Sequence, residues 1–150
     1  MIEHLRRSKL IYLLGGSPQH LGLTLAESGS RQAILEAHKA GAVIGGSSAG
    51  AMLLCDHYYD PSGDNVFTGL GLVPGCCVLP HHDTFGQNWT PRLTQLLPEA
   101  VLIGIDEQTG MVDDAAAGEW QVYGKGAVTL YRYGHIRSFG PGRPFGLDPV

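Results

Sequence analysis

Apolar residues in this chain come in short blocks cut by glycine, and the blocks alternate between strand and helix periods. The run Lys9-Leu10-Ile11-Tyr12-Leu13-Leu14 has strand length and stops at Gly15-Gly16, so it predicts a buried strand. Ser17 then Pro18 is a side-chain cap followed by a residue preset for the first helical turn, which predicts a helix over 19–27. Ser30 reads as the cap of a second helix over 31–40. Its Ala33, Ile34 and Ala37 share one face, and Gly41 ends it. Residues 42–45 form the next strand and residues 49–57 the helix that leaves it, before the turn cluster Asp60-Pro61-Ser62-Gly63-Asp64. Strands follow over 76–79 and 101–105, separated by a short helix that Thr90-Pro91 opens and that runs to Leu97.

The last third changes character. Residues 119–123 and 127–132 read as antiparallel strands around Gly124-Lys125-Gly126, and Tyr133-Gly134 turns the chain again before His135. Residues 140–150, with Gly140-Pro141-Gly142-Arg143-Pro144, are expected to be a loose tail. Strands alternating with helices, then hairpins, indicate an α/β fold. Its expected form is a mostly parallel sheet flanked by helices with an antiparallel C-terminal hairpin region. At 150 residues and 43% hydrophobic, the chain can bury one core and is expected to be a single domain over 1–150.

Chemistry enters at Gly45-Gly46-Ser47-Ser48-Ala49-Gly50-Ala51-Met52. Gly46-x-Ser48-x-Gly50 directly after an apolar strand is the pattern of a nucleophile elbow, in which a strand turns sharply into a helix with serine at the corner. The corner residue takes a strained backbone conformation. Side chains two positions to either side would collide, so Gly46 and Gly50 leave room. The helix that follows turns free N–H groups toward the place where an oxyanion would form.

Charge and cysteines narrow the setting. A formal charge of −4 without clustered lysines or arginines excludes a nucleic-acid surface, and no apolar run reaches bilayer length. The apolar run after Arg6-Arg7 is too short for a signal peptide. Cys55, Cys76 and Cys77 are odd in number and two are adjacent, which argues against a disulfide framework and for a reducing cytoplasm. No Cys-x-x-Cys pair suggests a metal site, and neither a metal nor a cofactor is expected.

A serine hydroxyl needs a base, and the base needs an orienting carboxylate. Of the seven histidines, His4 lies in a floppy start, while His38 and His135 read as surface residues. Leu79-Pro80-His81-His82-Asp83 differs, because it follows a strand and so lies where open α/β sheets place their sites. Adjacent histidines point in different directions, so a shared metal is the weaker reading. Asp106 and Glu107 end the apolar strand 101–105 and are the candidate acids.

The order serine, histidine, acid departs from that of the α/β-hydrolases. With Gly15-Gly16 one strand earlier, Pro80-His81, and Gly104-Ile105-Asp106-Glu107, it resembles the serine peptidase family of aspartyl dipeptidase (peptidase E) and cyanophycinase. The resemblance runs from Leu10 to about Arg132 and implies a class I glutamine-amidotransferase-like, flavodoxin-like fold. It makes Ser48 the nucleophile, His81 the base rather than His82, and Glu107 the orienting acid with Asp106 as runner-up. The N–H groups of Gly16 and Ala49 would form the oxyanion hole, and Arg92 would hold the carboxylate of an aspartyl residue before the scissile bond. Ser17 stands where the family often has an acidic or amide residue, which leaves specificity open.

Members of that family are usually longer, with a further strand–helix portion before the equivalent of Lys9. A sheet that starts late leaves an edge to cover, and a homodimer is expected. The leading reading is a cytoplasmic dipeptidase or exopeptidase that cleaves small peptides after aspartyl residues, with no nucleic-acid or membrane partner. A silent binding or assembly module on the same fold is the alternative. A glutamine-amidotransferase-like hydrolase ranks below both, because that chemistry needs cysteine where Ser48 stands.

Overall fold

A computed structural model describes residues 1–114 and 118–147. The fold is mixed α/β, and the chain divides into two compact units, Met1–Pro74 and the residues from Gly75 onward.

The first unit contains α1 (Ile2–Arg7), β1 (Leu10–Leu13), α2 (Pro18–Glu27), α3 (Ser30–Lys39), β2 (Val43–Gly46), α4 (Ala49–Leu54), β3 (Cys55–Asp60) and β4 (Asn65–Thr68). β1 and β2 pair in parallel, with Leu13 opposite Gly46 at the end that leads into the elbow. Ser17 caps α2 as its sequence predicts, its Oγ accepting from the His20 N–H at 3.3 Å.

Four expectations are corrected in this unit. The N-terminus is no floppy start, because α1 is tied down by Arg6 Nε donating to Glu36 on α3 at 2.6 Å. α3 is entered through Gly29 at φ 71, a conformation that favours glycine, and Ser30 is its buried first residue rather than its cap. The helix expected over 49–57 ends at Leu54. His57, Tyr58 and Tyr59 suit a strand better and pair antiparallel with β4, where Tyr58 stacks on Phe67 at 5.3 Å. The turn between these strands is held by Asp60, which accepts from Ser62 Oγ at 2.6 Å and from the Gly63 N–H at 3.2 Å. Finally, β1 is not buried on both faces: Ile11 and Leu13 face the core, while Leu10 is 65% and Tyr12 56% exposed.

β5 (Val73–Pro80) leads into the second unit, followed by a single 3-10 turn (Gly86–Trp89), α5 (Thr90–Leu96), β6 (Val101–Ile105), β7 (Thr109–Val112), β8 (Glu119–Gly124), β9 (Val128–Arg132), β10 (His135–Phe139) and β11 (Phe145–Gly146). Here β5 and β6 run parallel, Cys76 opposite Val101 and Pro80 opposite Ile105. β10 pairs antiparallel with β9 across Tyr133-Gly134, as the sequence predicts. The hairpin expected between 119–123 and 127–132 does not form: β9 adds antiparallel to β6, while β8 pairs with β7. The last five residues of β5 are all buried, as are the first four of β6, which is why these segments read as unbroken apolar runs. Cys55, Cys76 and Cys77 are buried, and burial pushes the Cys77 thiol up to about 12.

β7, β8 and β11 form a three-stranded antiparallel sheet. The segment expected to be a loose tail is therefore anchored over its first part. Phe145 is buried, pairs with Trp120 and stacks on Phe139 at 4.6 Å, which gives an otherwise glycine- and proline-rich stretch an apolar pin. The rest of that expectation, residues 148–150, falls outside the described residues. Among the described residues, no helix is long and apolar enough to cross a membrane.

Candidate active site

The elbow is built by what its neighbours lack. At the end of β2 the chain turns through Ser48, at φ 51 and ψ −121, and α4 begins at Ala49. A serine at positive φ costs on the order of 1–3 kcal/mol, so the surroundings must hold it there. They do so through backbone hydrogen bonds. The Ser47 N–H donates to the Leu13 carbonyl at 3.0 Å, Gly50 N–H to Ser47 at 2.9 Å, and Met52 N–H to Ser48 at 3.1 Å. A Cβ on Gly46 would sit 2.5 Å from the Gly50 carbonyl carbon and oxygen, and one on Gly50 would run into the Leu13 carbonyl. Each glycine of the Gly-x-Ser-x-Gly pattern is thus required by a different stretch of backbone.

Gly15 adds a third close approach. A Cβ there would lie 3.1 Å from Ser48 Cβ and 3.6 Å from Ser48 Oγ, so the Gly15-Gly16 backbone passes directly beside the serine side chain. Gly16 takes φ 140, again a glycine conformation. Ser48 and Ala49 after β2, and Gly15-Gly16 after β1, therefore lie at the same end of this strand pair.

The histidine end, in the second unit, is built by side chains. His81 follows β5 at φ 53, and its Nδ1 lies 3.1 Å from Glu107 Oε1. When Nδ1 carries the proton and donates to the carboxylate, Nε2 carries the lone pair that accepts a proton. Glu107 is itself tethered: its N–H donates to Asp83 Oδ1 at 2.8 Å. The His81 ring stacks on Phe85, centroids 4.9 Å apart and planes 25° apart.

His82, one residue after His81, and Asp106, one residue before Glu107, form a second histidine–carboxylate pair. His82 Nδ1 lies 3.3 Å from Asp106 Oδ1, and its Nε2 lies 2.8 Å from the Tyr131 hydroxyl. The ring is buried and packs where Gly104 has no side chain. Asp106 Oδ2 accepts from the Ala127 N–H at 2.8 Å. Burial raises Tyr131 above the usual phenol value, and the Asp106 charge adds to it, so its hydroxyl keeps its proton. Both ring nitrogens of His82 are engaged in packing the strand ends together, whereas the His81 side chain keeps 35% of its surface exposed.

His81 and Glu107 are thus brought together, as are His82 and Asp106, while Arg92 stands exposed on α5. Sequence reasoning missed the roles of Asp83, Phe85 and Tyr131. Asp83 stood inside the quoted His-His-Asp run, and Phe85 lies four residues beyond His81, a spacing that a tight turn can fold back. Tyr131 is far away in sequence and gave no local signal.

Comparison with known proteins follows the same residues. The profile of peptidase family S51 matches residues 1–115, which contain the elbow and both histidine–carboxylate pairs. The chain belongs to peptidase family S51. It is 32% identical over 142 residues to a cyanophycinase of Geminocystis herdmanii, an alignment covering 85% of this chain and 51% of that protein. Its fold matches the crystal structure of a peptidase from an acI-B1 actinobacterium with TM-score 0.81 and 30% identity, over 97% of this chain and 62% of the other. A candidate peptidase E of Listeria monocytogenes shares the fold at TM-score 0.59 and 20% identity, covering 92% of this chain and 62% of that one. The chain spans about half the length of the cyanophycinase and about three fifths of the two solved structures.

Proposed function

We propose that this protein is a serine peptidase that cleaves small peptides after an aspartyl residue through an acyl-enzyme. The observation that carries the reading is Ser48, held at positive φ between two glycines that the backbone requires, at the corner of a strand and a helix. Membership of family S51 and the His81–Glu107 pair support it.

In this mechanism Ser48 Oγ attacks the scissile carbonyl carbon and its proton passes to His81 Nε2. The carbonyl oxygen becomes an oxyanion facing the N–H groups of Gly16 and Ala49. Glu107 holds the imidazole through Nδ1–H and stabilises the imidazolium. The leaving amine takes that proton as the C–N bond breaks, and the ester on Ser48 remains. Water, deprotonated by His81, then attacks the ester, releases the acid and regenerates the serine hydroxyl. Arg92 holds the aspartyl carboxylate. The fold assigned to this chemistry is the class I glutamine-amidotransferase-like, flavodoxin-like arrangement.

The direct test is labelling with a fluorophosphonate, with mass spectrometry to locate the adduct, beside a panel of Asp-X, Glu-X and neutral dipeptides. An adduct on Ser48 and turnover of Asp-X substrates are expected. Turnover that survives Ser48→Ala would sink the serine mechanism. No adduct and no turnover would leave a binding module on a peptidase fold. The reading includes a homodimer, supported by the exposed apolar side chains of Leu10, Tyr12, Leu14 and Val43. A monomer mass by light scattering, unchanged with concentration, counts against it.

A further inference from the structure

We infer that Phe85 is a positioning residue for this reaction: its ring, stacked on the His81 imidazole, holds that imidazole in the plane in which Nδ1 meets Glu107. The inference rests on the reading of His81 as the base. The turn that makes the stack is tightly built. The His81 carbonyl accepts from the Thr84 N–H at 3.1 Å, from Thr84 Oγ1 at 3.0 Å and from the Gly86 N–H at 2.9 Å. Gly86 must be glycine, because a Cβ there would run into the Pro80 carbonyl. This closed turn folds Phe85 back over the residue that opens it. Trp89 in turn meets Phe85 edge-on, with centroids 5.6 Å apart and planes at 62°.

Core filling does not explain the arrangement. Phe85 remains 48% exposed, so it gains only part of the burial energy of a phenylalanine. Its flat face meets the imidazole at 25°, a contact that selects a ring plane as well as a position. The Nδ1–Glu107 contact needs that selection. A rotated imidazole would present a C–H to the carboxylate and turn Nε2 away from the direction the pairing sets. Once His81 has taken the serine proton, the ring is a cation lying on an aromatic face, which favours the same arrangement at the step where it matters.

Leucine and tyrosine separate this role from simple packing. Phe85→Leu keeps much of the apolar volume and loses the flat face, whereas Phe85→Tyr keeps the face. Phe85→Leu is expected to lower kcat about fivefold to tenfold with KM within about twofold, and Phe85→Tyr to stay near wild type. NMR of ¹⁵N-histidine-labelled protein reads the same geometry without any substrate. Wild type should show His81 as the Nδ1–H tautomer, with its carbon-bound protons moved upfield by the Phe85 ring. Phe85→Leu should lose that upfield shift and mix the tautomers. Wild-type kcat and an unmixed tautomer in Phe85→Leu would overturn the inference, as would a loss in Phe85→Tyr equal to that in Phe85→Leu. If Phe85→Leu does not fold, absence of the ring shift in wild type overturns it alone. Because the NMR arm needs no turnover, failure of the peptidase reading and failure of the stack are read separately.

Discussion

The serine end and the histidine end of this chain reach similar backbone strain by opposite means. Ser48 sits at φ 51 and His81 at φ 53, each directly after a parallel strand. Around Ser48 the conformation is enforced by absent side chains, since Gly15, Gly46 and Gly50 let backbone meet backbone. Around His81 side-chain contacts set the arrangement: Glu107, Asp83 and Phe85 form one linked group, and His82, Asp106 and Tyr131 a second beside it in sequence. The first design fails at once if an atom is added. The second can lose one partner and keep most of its geometry, because several contacts share the load.

That difference orders the effects of mutation. The largest belongs to Ser48→Ala, which removes the proposed nucleophile and is expected to lower turnover by about 10⁴-fold or more, with the melting temperature almost unchanged. Assay on the Asp-X panel with a parallel melting curve checks both halves. Next is Gly50→Ala at the same end. One methyl against the Leu13 carbonyl should destabilise the fold by about 3 kcal/mol, measured by urea unfolding. A mild Gly50→Ala would show that the elbow has slack and does not depend on absent side chains.

At the histidine end the expected losses are smaller. Glu107→Gln keeps the size of the side chain and removes its charge. Because Glu107 is 47% exposed, water replaces part of what is lost, and a fall of about a hundredfold in kcat is expected. Arg92→Ala should act mainly on KM for acidic substrates, by about 1.5–3 kcal/mol for a lost charge-assisted contact. An equal effect of Arg92→Ala on neutral dipeptides would remove its proposed role.

The same contrast explains what the sequence made legible. Gly46-x-Ser48-x-Gly50 is local, and its steric reasons act within a few residues, so the elbow was readable. The buried runs of β5 and β6 were readable because parallel strands bury both faces. The choice between two adjacent histidines and two adjacent acids depends on which pairs meet across strands more than twenty residues apart. Periodicity carries no such information. β3 was hidden for a similar reason. The apolar pattern of residues 49–57 continues past Leu54, and only pairing with β4 turns Cys55–Asp60 into a strand. Phe145 likewise gave no sign of its pairing partner, Trp120.

The smallest effect tests the core beneath the histidine end. Cys77 lies in β5, three residues before Pro80, and burial, with Cys76 beside it, raises its thiol from 9.0 to about 12. In the unfolded chain the thiol ionises above pH 9, whereas in the folded protein it keeps its proton until about pH 12. Above pH 9 the native state therefore binds one more proton than the unfolded state. The stability associated with this thiol is complete below pH 9 and falls by about 1.4 kcal/mol per pH unit above it. Tyr58 and Tyr131, raised by burial, and Tyr123, raised by its hydrogen bond to Asp114, all start from 10.0, so their contributions fall mainly above pH 10. The interval from pH 9 to pH 10 thus reads the buried thiols before the tyrosines, and comparison with Cys77→Ala singles out Cys77. Urea unfolding should show wild type losing about 1 kcal/mol more than Cys77→Ala across that interval. Cys77→Ala should start lower because of the small cavity it leaves, and should lose less between the two pH values. Equal slopes for the two proteins would mean that Cys77 ionises without resistance from the fold, and that β5 is looser beneath His81 than its burial implies.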